Sequence, residues 1–309
     1  MEDLADPVPG PGQVLVEVRA CSVTFPDLLM LQDKYQFKPG LPFVPGSEVA
    51  GVVSEVGEGV ERLAKGDRVL SSSLGGGGLA ELAVIDARSA VVLPDTIDFD
   101  DAAGLLYGYG TSHHALKDRA QLRAGESLLV LGAAGGVGLA AVELGRAMGA
   151  RVIAAASTDE KLEVCRAHGA DETINYATED LKTRIRDLTE GRGADVVYDP
   201  VGGAYSEPAL RSTAWEGRFL VIGFAAGDIP RIPLNMALLR GCSIVGVFWG
   251  SFVAREPERH RANVAELVDW WTAGRLSPYT SARFPLERSA DALRELAERR
   301  ATGKVVVNP

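Results

Sequence analysis

The chain has 309 residues, 46% of them hydrophobic and 24% charged, with a net charge of −10 and an isoelectric point near 5.0. That size and balance suit a soluble globular protein of two domains, and the acidic charge argues against nucleic acid or an anionic membrane as the main partner. No apolar run approaches the ~20 residues that span a bilayer, and no basic segment leads an apolar stretch as in a secretory signal. The three cysteines, Cys21, Cys165 and Cys242, are too widely spaced for a disulfide framework or a C-x-x-C metal site, so a reducing cytoplasm is the expected setting.

Taken in chain order, the turn-rich PVPGPGQ leads into VLVEVRA (14–20), which alternates like a half-buried strand. SEVAGVVSEV (47–56), residues 67–70 and residues 79–85 are further short strands. Glycine turns separate them, and the glycine run 75–78 is expected to be a flexible loop. The first ~95 residues thus predict a small, mostly β domain. After Asp98 the texture changes to apolar strands at 127–131, 151–156, 195–198, 218–222 and 243–248. Helical stretches such as 159–168 and 179–189 lie between them. This alternation predicts an α/β fold with a doubly wound parallel sheet, whose ligands bind at the carboxyl ends of its strands. The loops after Asp199 and Gly223 are therefore expected to face a ligand, although plain turn chemistry accounts for their composition equally well. Two charged amphipathic helices (257–273 and 288–302) and a last strand, 304–307, complete the chain.

The most informative segment is SLLVLGAAGGVG (127–138). A buried strand is followed by Ala133, Gly135 and Gly138 at the spacing of a G-x-G-x-x-G turn, with alanine in the first slot, and then by a helix opening at Gly136-Val137. Gly135 allows backbone N–H groups to approach a pyrophosphate, and Gly138 allows the helix to lie close to the strand. The helix N-terminus adds partial positive charge. Strand, turn, helix and second strand within about 30 residues predict dinucleotide binding. The cofactor type depends on the end of the second strand, where an acidic residue would hold a ribose 2′-OH. Here Ser157-Thr158 stand at that point, with Lys161 one turn on, a pattern suited to a 2′-phosphate. Ser157 to Glu160 also reads as a capping box, and a two-residue slip would make Asp159 the ribose acid.

The motifs PGPGQVLVEVRA, FPDLLMLQDKY, LPFVPGSEVAGVV, GDRV, YGTSHHAL, GAAGGVG, YDPVGG and GKVVVNP cover nearly the whole chain. In them the chain resembles the medium-chain dehydrogenase/reductase superfamily, specifically its zinc-free NADPH:quinone oxidoreductase (zeta-crystallin-like) branch. The resemblance implies a GroES-like, mostly β catalytic domain from residues 1–110 and 251–309, and a Rossmann cofactor domain over 111–250. It also implies a strand ahead of the PGPGQ turn, which the chain's start at Met1 is expected to leave out, exposing a sheet edge.

Zinc members of the superfamily place cysteine where this chain has Thr24 and histidine where it has Ser47. Neither hydroxyl suits zinc, and without a Lewis acid the acceptor must already be electrophilic. The resemblance carries Thr24, Asp27 and Tyr35 to the substrate pocket, with Tyr35 either a proton donor or an aromatic rim. It carries Tyr109, Thr111, Phe224, Phe248 and Trp249 to the nicotinamide side, and Lys304 to the pyrophosphate. Ser157, Lys161 and Tyr176 fall at the 2′-phosphate and adenine.

The function implied is hydride transfer from NADPH to a quinone or other electron-poor enone, without metal. The alternatives are an enoyl-thioester reductase and an NADPH-binding scaffold or sensor. A homodimer through the edge of the Rossmann sheet, at residues 243–248, is expected. Among residues outside these sets, adjacent His113 and His114 must face different ways, His168 reads as a helix C-terminal partner, and Asp199 as strand-end geometry. Trp270 and Trp271 are expected to pack the late helix on the catalytic domain.

Overall fold

The computed structural model describes residues 2–72 and 76–309. In chain order its strands are β1 (Gln13–Val23), β2 (Glu48–Val56), β3 (Arg68–Ser72), β4 (Leu82–Asp86), β5 (Val91–Val92), β6 (Ser127–Leu131), β7 (Arg151–Ala156), β8 (Glu172–Asn175), β9 (Ala194–Asp199), β10 (Thr213–Val221), β11 (Ser243–Gly246), β12 (Thr280–Pro285) and β13 (Lys304–Asn308). The chain divides into two compact units, one of residues up to Tyr107 with Pro278–Pro309, the other Gly108–Ser277.

The first unit is built on a sheet ordered β12-β13-β1-β2-β3-β5, with β4 also paired to β1. Apolar residues at every second position of β1 (Val14, Val16, Val18) meet Val49, Val53, Val69 and Ile85 in one fully buried cluster, the burial that a period of two dictates. β13 lies antiparallel to β1, with Cys21 opposite Val307, so the chain's last strand completes this sheet. Residues 76–78 were expected to be flexible. Instead, Gly77 N–H donates to the Val44 carbonyl at 2.7 Å and Gly78 N–H to that of Gly46 at 2.9 Å. Gly75, the first residue of that expected loop, lies outside the described residues.

The second unit is a parallel sheet ordered β11-β10-β9-β6-β7-β8. β6 and β7 are buried on both faces, as their unbroken apolar runs require, and Leu129, Leu131, Ile153 and Val197 anchor one side of the core. The sheet has six strands where the sequence suggested five, β8 being the addition. β11 ends at Gly246, short of the expected Phe248, because a helix starts at Trp249. Residues 251–277, expected with the GroES-like part, cluster instead with this unit. Trp270 stacks edge-on against His113 of the same unit, at 5.7 Å between ring centroids. Among the described residues no helix is long and apolar enough to cross a membrane.

Candidate functional site

In the second unit, β6 runs into a turn at Gly132 (φ +58°) and then into the helix Gly136–Ala147, with Gly135 as N-cap. A Cβ on Gly138 would lie 2.2 Å from the Gly132 carbonyl oxygen and 2.9 Å from the Ala133 Cα, so only glycine permits this approach of helix to strand. A Cβ on Gly135 would meet nothing nearer than the Gly132 oxygen at 3.4 Å, so its outer side is open. Ala133 is buried and its N–H donates to Ala155 of β7 at 3.0 Å, while the Val137 carbonyl accepts from Ser112 Oγ at 2.8 Å. Crowding within the turn and openness outside it, at a helix N-terminus, form a cradle that suits a pyrophosphate.

At the end of β7 the helix Asp159–Ala167 is capped by Thr158, whose hydroxyl accepts the Lys161 N–H at 3.3 Å. The expected capping box on Ser157 is therefore not formed: the chain turns one residue later, Lys161 takes the third helical position, and Ser157 is left half-buried ahead of the cap. Asp159 accepts from the Asn175 side-chain amide at 2.8 Å. That bond ties one oxygen of its carboxylate to the end of β8. Tyr176 follows directly, its N–H on the Ala156 carbonyl at 3.1 Å, so Ser157, Lys161 and Tyr176 share one corner of the sheet.

Tyr109 and Thr111 lie on the helical segment that opens this unit. The Tyr109 hydroxyl donates to Glu143 at 2.6 Å, and Glu143, buried on the Gly136–Ala147 helix, also bonds His168 Nδ1 and accepts Ser277 N–H at 3.1 Å. The loops after β9 and β10 are bound together, Ala226 N–H on Val201 O at 2.8 Å and Gly203 N–H on Asp228 O at 3.1 Å, with Phe224 between them. Trp249 is buried against Gly110, where a Cβ would lie 3.0 Å from the indole, whereas Phe248 is 57% exposed. His113 and His114 diverge as expected: His113 faces Glu266 and Trp270, and His114 bonds Asp118 at 2.7 Å and stacks on Phe252.

In the first unit Asp27 is wholly buried and takes four donors. Thr24 N–H (2.8 Å) and Thr24 Oγ1 (2.6 Å) reach one oxygen, and Gly46 N–H (3.1 Å) and Ser47 Oγ (2.8 Å) the other. An acceptor-only carboxylate is then saturated, and the Thr24 and Ser47 protons both point at it. The Tyr107 side chain is hydrogen-bonded to Ser47 as well. Tyr35 is partly buried nearby. Burial, then the charge of Asp27, raise its pKa and keep the phenol protonated. Among the described residues no hydrogen bond is made by its hydroxyl. Glu48 accepts from Ser22 Oγ at 3.0 Å and from the N–H groups of Leu106 and Tyr107. Burial raises its pKa, opposed first by Lys304. Lys304 itself, expected at the pyrophosphate, is buried and pairs with Glu48 at 3.4 Å.

Tyr107 and Glu143 were not singled out from sequence. Glu143 had a legible mark, a carboxylate within the otherwise apolar GLAAVELG face. Tyr107 had none, because its partner Ser47 is brought to it only by the fold.

Residues 10–95 match the alcohol dehydrogenase GroES-like domain family and residues 136–270 the zinc-binding dehydrogenase family. The chain is 42% identical over 301 residues to quinone oxidoreductase-like protein 2 homolog of Nematostella vectensis, covering 97% of this chain and 82% of the relative. Among solved structures, quinone oxidoreductase of Pseudomonas syringae superposes with a TM-score of 0.93 at 33% identity, over 100% of this chain and 94% of that one. The Escherichia coli quinone oxidoreductase complexed with NADPH superposes at 0.91 and 28% identity, over 100% and 94%. The chain belongs to the medium-chain dehydrogenase/reductase superfamily, in its quinone oxidoreductase branch.

Proposed function

We propose that this protein is an NADPH-dependent, zinc-independent oxidoreductase that passes hydride to a quinone or another electron-poor enone. The observation that carries the cofactor choice is the corner after β7. Ser157 and Lys161 stand where a 2′-phosphate would lie, and Asp159, the carboxylate that would repel it, is tied to Asn175. The open side of Gly135 and the following helix N-terminus suit the pyrophosphate. Bound there, the dihydronicotinamide supplies a hydride. Zinc independence rests on residue type: Thr24 and Ser47 offer hydroxyls where zinc binds thiolate, imidazole or carboxylate.

An acceptor reduced without a Lewis acid must be electrophilic beforehand and needs orientation and exclusion of water. Quinone reduction consumes one hydride and one proton. Thr24 and Ser47 have their hydroxyl protons on Asp27 and Tyr107 bonds Ser47, which leaves the Tyr35 hydroxyl as the donor of this cluster to the anionic oxygen. The three cysteines are free thiols, in keeping with a reducing cytoplasm.

The reading extends to a homodimer. β11 is an edge strand of the parallel sheet with Ile244 exposed on it, and the segment just before it exposes Leu234 (82%), Leu238 (77%) and Leu239 (72%), apolar surface that pairing with a second copy would cover.

The deciding assay follows NADPH oxidation at 340 nm with 1,4-benzoquinone and 1,2-naphthoquinone, in parallel with NADH. Turnover with NADPH preferred over NADH is the expected result. NADPH binding without oxidation by any quinone or enone would sink the catalytic reading.

A further inference from the structure

Beyond Ser157, Lys161 and Tyr176, the second unit carries an aromatic side chain that the function so far does not use. Tyr205 closes the short helical turn Gly203–Tyr205 after β9. Its ring lies 4.4 Å from that of Tyr176 between centroids, tilted by 42°. Both rings rest by one side on the apolar cluster of the parallel sheet and neither is fully buried. Two aromatic faces from two different strand ends thus meet beside the Ser157–Lys161 corner.

The frame under Tyr205 is fixed by one buried carboxylate. Asp199, 2% exposed, accepts Val201 N–H and Gly202 N–H at 2.9 Å each and Ser206 Oγ at 2.6 Å, so one carboxylate fastens both ends of the turn that bears Tyr205. Gly202 (φ +72°) and Gly203 (φ +59°) take left-handed backbone. A Cβ on Gly202 would also come within 2.9 Å of the Phe224 ring. On the other side, Tyr176 is held by its N–H on Ala156. The two rings are thus carried on fixed backbone, and neither is fully buried. A planar ligand that stacks on them benefits, because the platform loses little freedom when it binds.

We propose that Tyr205 is a cofactor-binding residue, forming with Tyr176 a stacking platform for the purine end of the dinucleotide, and that Asp199 is the positioning residue that holds the platform in place. This rests on the reading that the second unit binds NADP(H).

The test uses half-cofactors. Adenosine 2′,5′-bisphosphate probes the purine end and reduced nicotinamide mononucleotide the other. Tyr205→Leu keeps apolar bulk over the core and removes the π face, and Tyr205→Phe keeps the face. Expected is at least a fivefold loss of adenosine 2′,5′-bisphosphate affinity in Tyr205→Leu, from stacking worth about 1–3 kcal/mol. Tyr205→Phe should bind as wild type, and the nicotinamide probe should be unchanged in both. Asp199→Asn should weaken the same probe at unchanged nicotinamide affinity. If Tyr205→Leu binds the bisphosphate like wild type while Lys161→Ala loses it, the platform is wrong and the cofactor reading stands. If wild type does not bind the bisphosphate at all, the cofactor reading fails and the platform with it.

Discussion

Acid should loosen the second unit through a neutral histidine buried under its late helix. His260 is 9% exposed, with the Trp249 ring edge-on at 5.5 Å and that of Phe252 at 6.2 Å. Burial first, then Arg261 and His114, lower its pKa from 6.5 to about 4. Unfolded, the imidazole takes a proton once pH falls below 6.5. Folded, it stays neutral until about 4, so stability is intact above 6.5 and is lost progressively between those values. Between pH 7 and pH 5 the loss from this one group is about 2 kcal/mol, a sizeable part of an ordinary domain's stability. His113 and His114 shift in the same direction, each chiefly by burial, and add to the effect. The assay is urea unfolding followed by tryptophan fluorescence at the two pH values, in wild type and in His260→Leu, which keeps the volume and removes the titration. Comparing losses cancels carboxylate contributions common to both proteins. The wild-type loss should exceed that of the variant by about 2 kcal/mol. Equal losses would refute the argument, whatever the absolute stabilities.

Four further outcomes are expected. Lys161→Ala should raise KM for NADPH tenfold or more and leave that for NADH nearly unchanged, a loss of about 1.5–3 kcal/mol for a charged hydrogen bond; equal effects on both cofactors would defeat the 2′-phosphate assignment. Gly138→Ala puts a methyl carbon 2.2 Å from the Gly132 oxygen, so both NADPH affinity and melting temperature should fall, with about 1–3 kcal/mol of strain. Asp27→Asn turns one acceptor into a donor facing two donors, and should lower stability by about 1–3 kcal/mol, seen as an earlier urea midpoint. Ile244→Lys on the exposed edge strand should give a monomer by light scattering with little change in fold, and persistence of a dimer would remove β11 as the contact.

The parallel sheet was legible wherever burial on both faces left an unbroken apolar run, and β6 and β7 fall on the residues expected. β8 was missed because Glu-Thr-Ile-Asn is mostly polar and only Ile174 and Asn175 are buried, as suits an edge strand. β12 was missed for the same reason: Thr-Ser-Ala-Arg-Phe-Pro has no fully buried residue. The glycine turn could be read to the residue, since backbone clashes leave no choice at Gly138. The cap at Thr158 could not. Ser157 and Thr158 are equally good N-caps, and the distinction depends on where β7 stops pairing with β8. The pairing of Lys304 with Glu48 was not legible, because sequence shows a cation but not its partner, and Glu48 lies far away in the chain.

Four buried carboxylates stand among the candidate functional residues, Asp27 and Glu48 in the first unit and Glu143 and Asp199 in the second. Two of them, Glu48 and Asp199, have pKa values raised mainly by burial. A perturbed carboxyl in a family of enzymes invites assignment as the acid or base. The hydrogen bonds argue otherwise. Glu48 takes Ser22, two backbone N–H groups and Lys304. Asp199 takes two backbone N–H groups and Ser206. Glu143 bonds Tyr109, His168 and a backbone N–H, and Asp27 two hydroxyls and two N–H groups. A carboxylate whose lone pairs are filled by main-chain donors cannot take a substrate proton without breaking the loop it holds, at about 1–3 kcal/mol per orphaned donor. These groups fix backbone, and by doing so they determine which hydroxyl protons face outward. Hydride chemistry on an electrophilic acceptor needs no strong base, and in the function proposed above one phenol, Tyr35, supplies the proton, since Asp27 has taken those of Thr24 and Ser47.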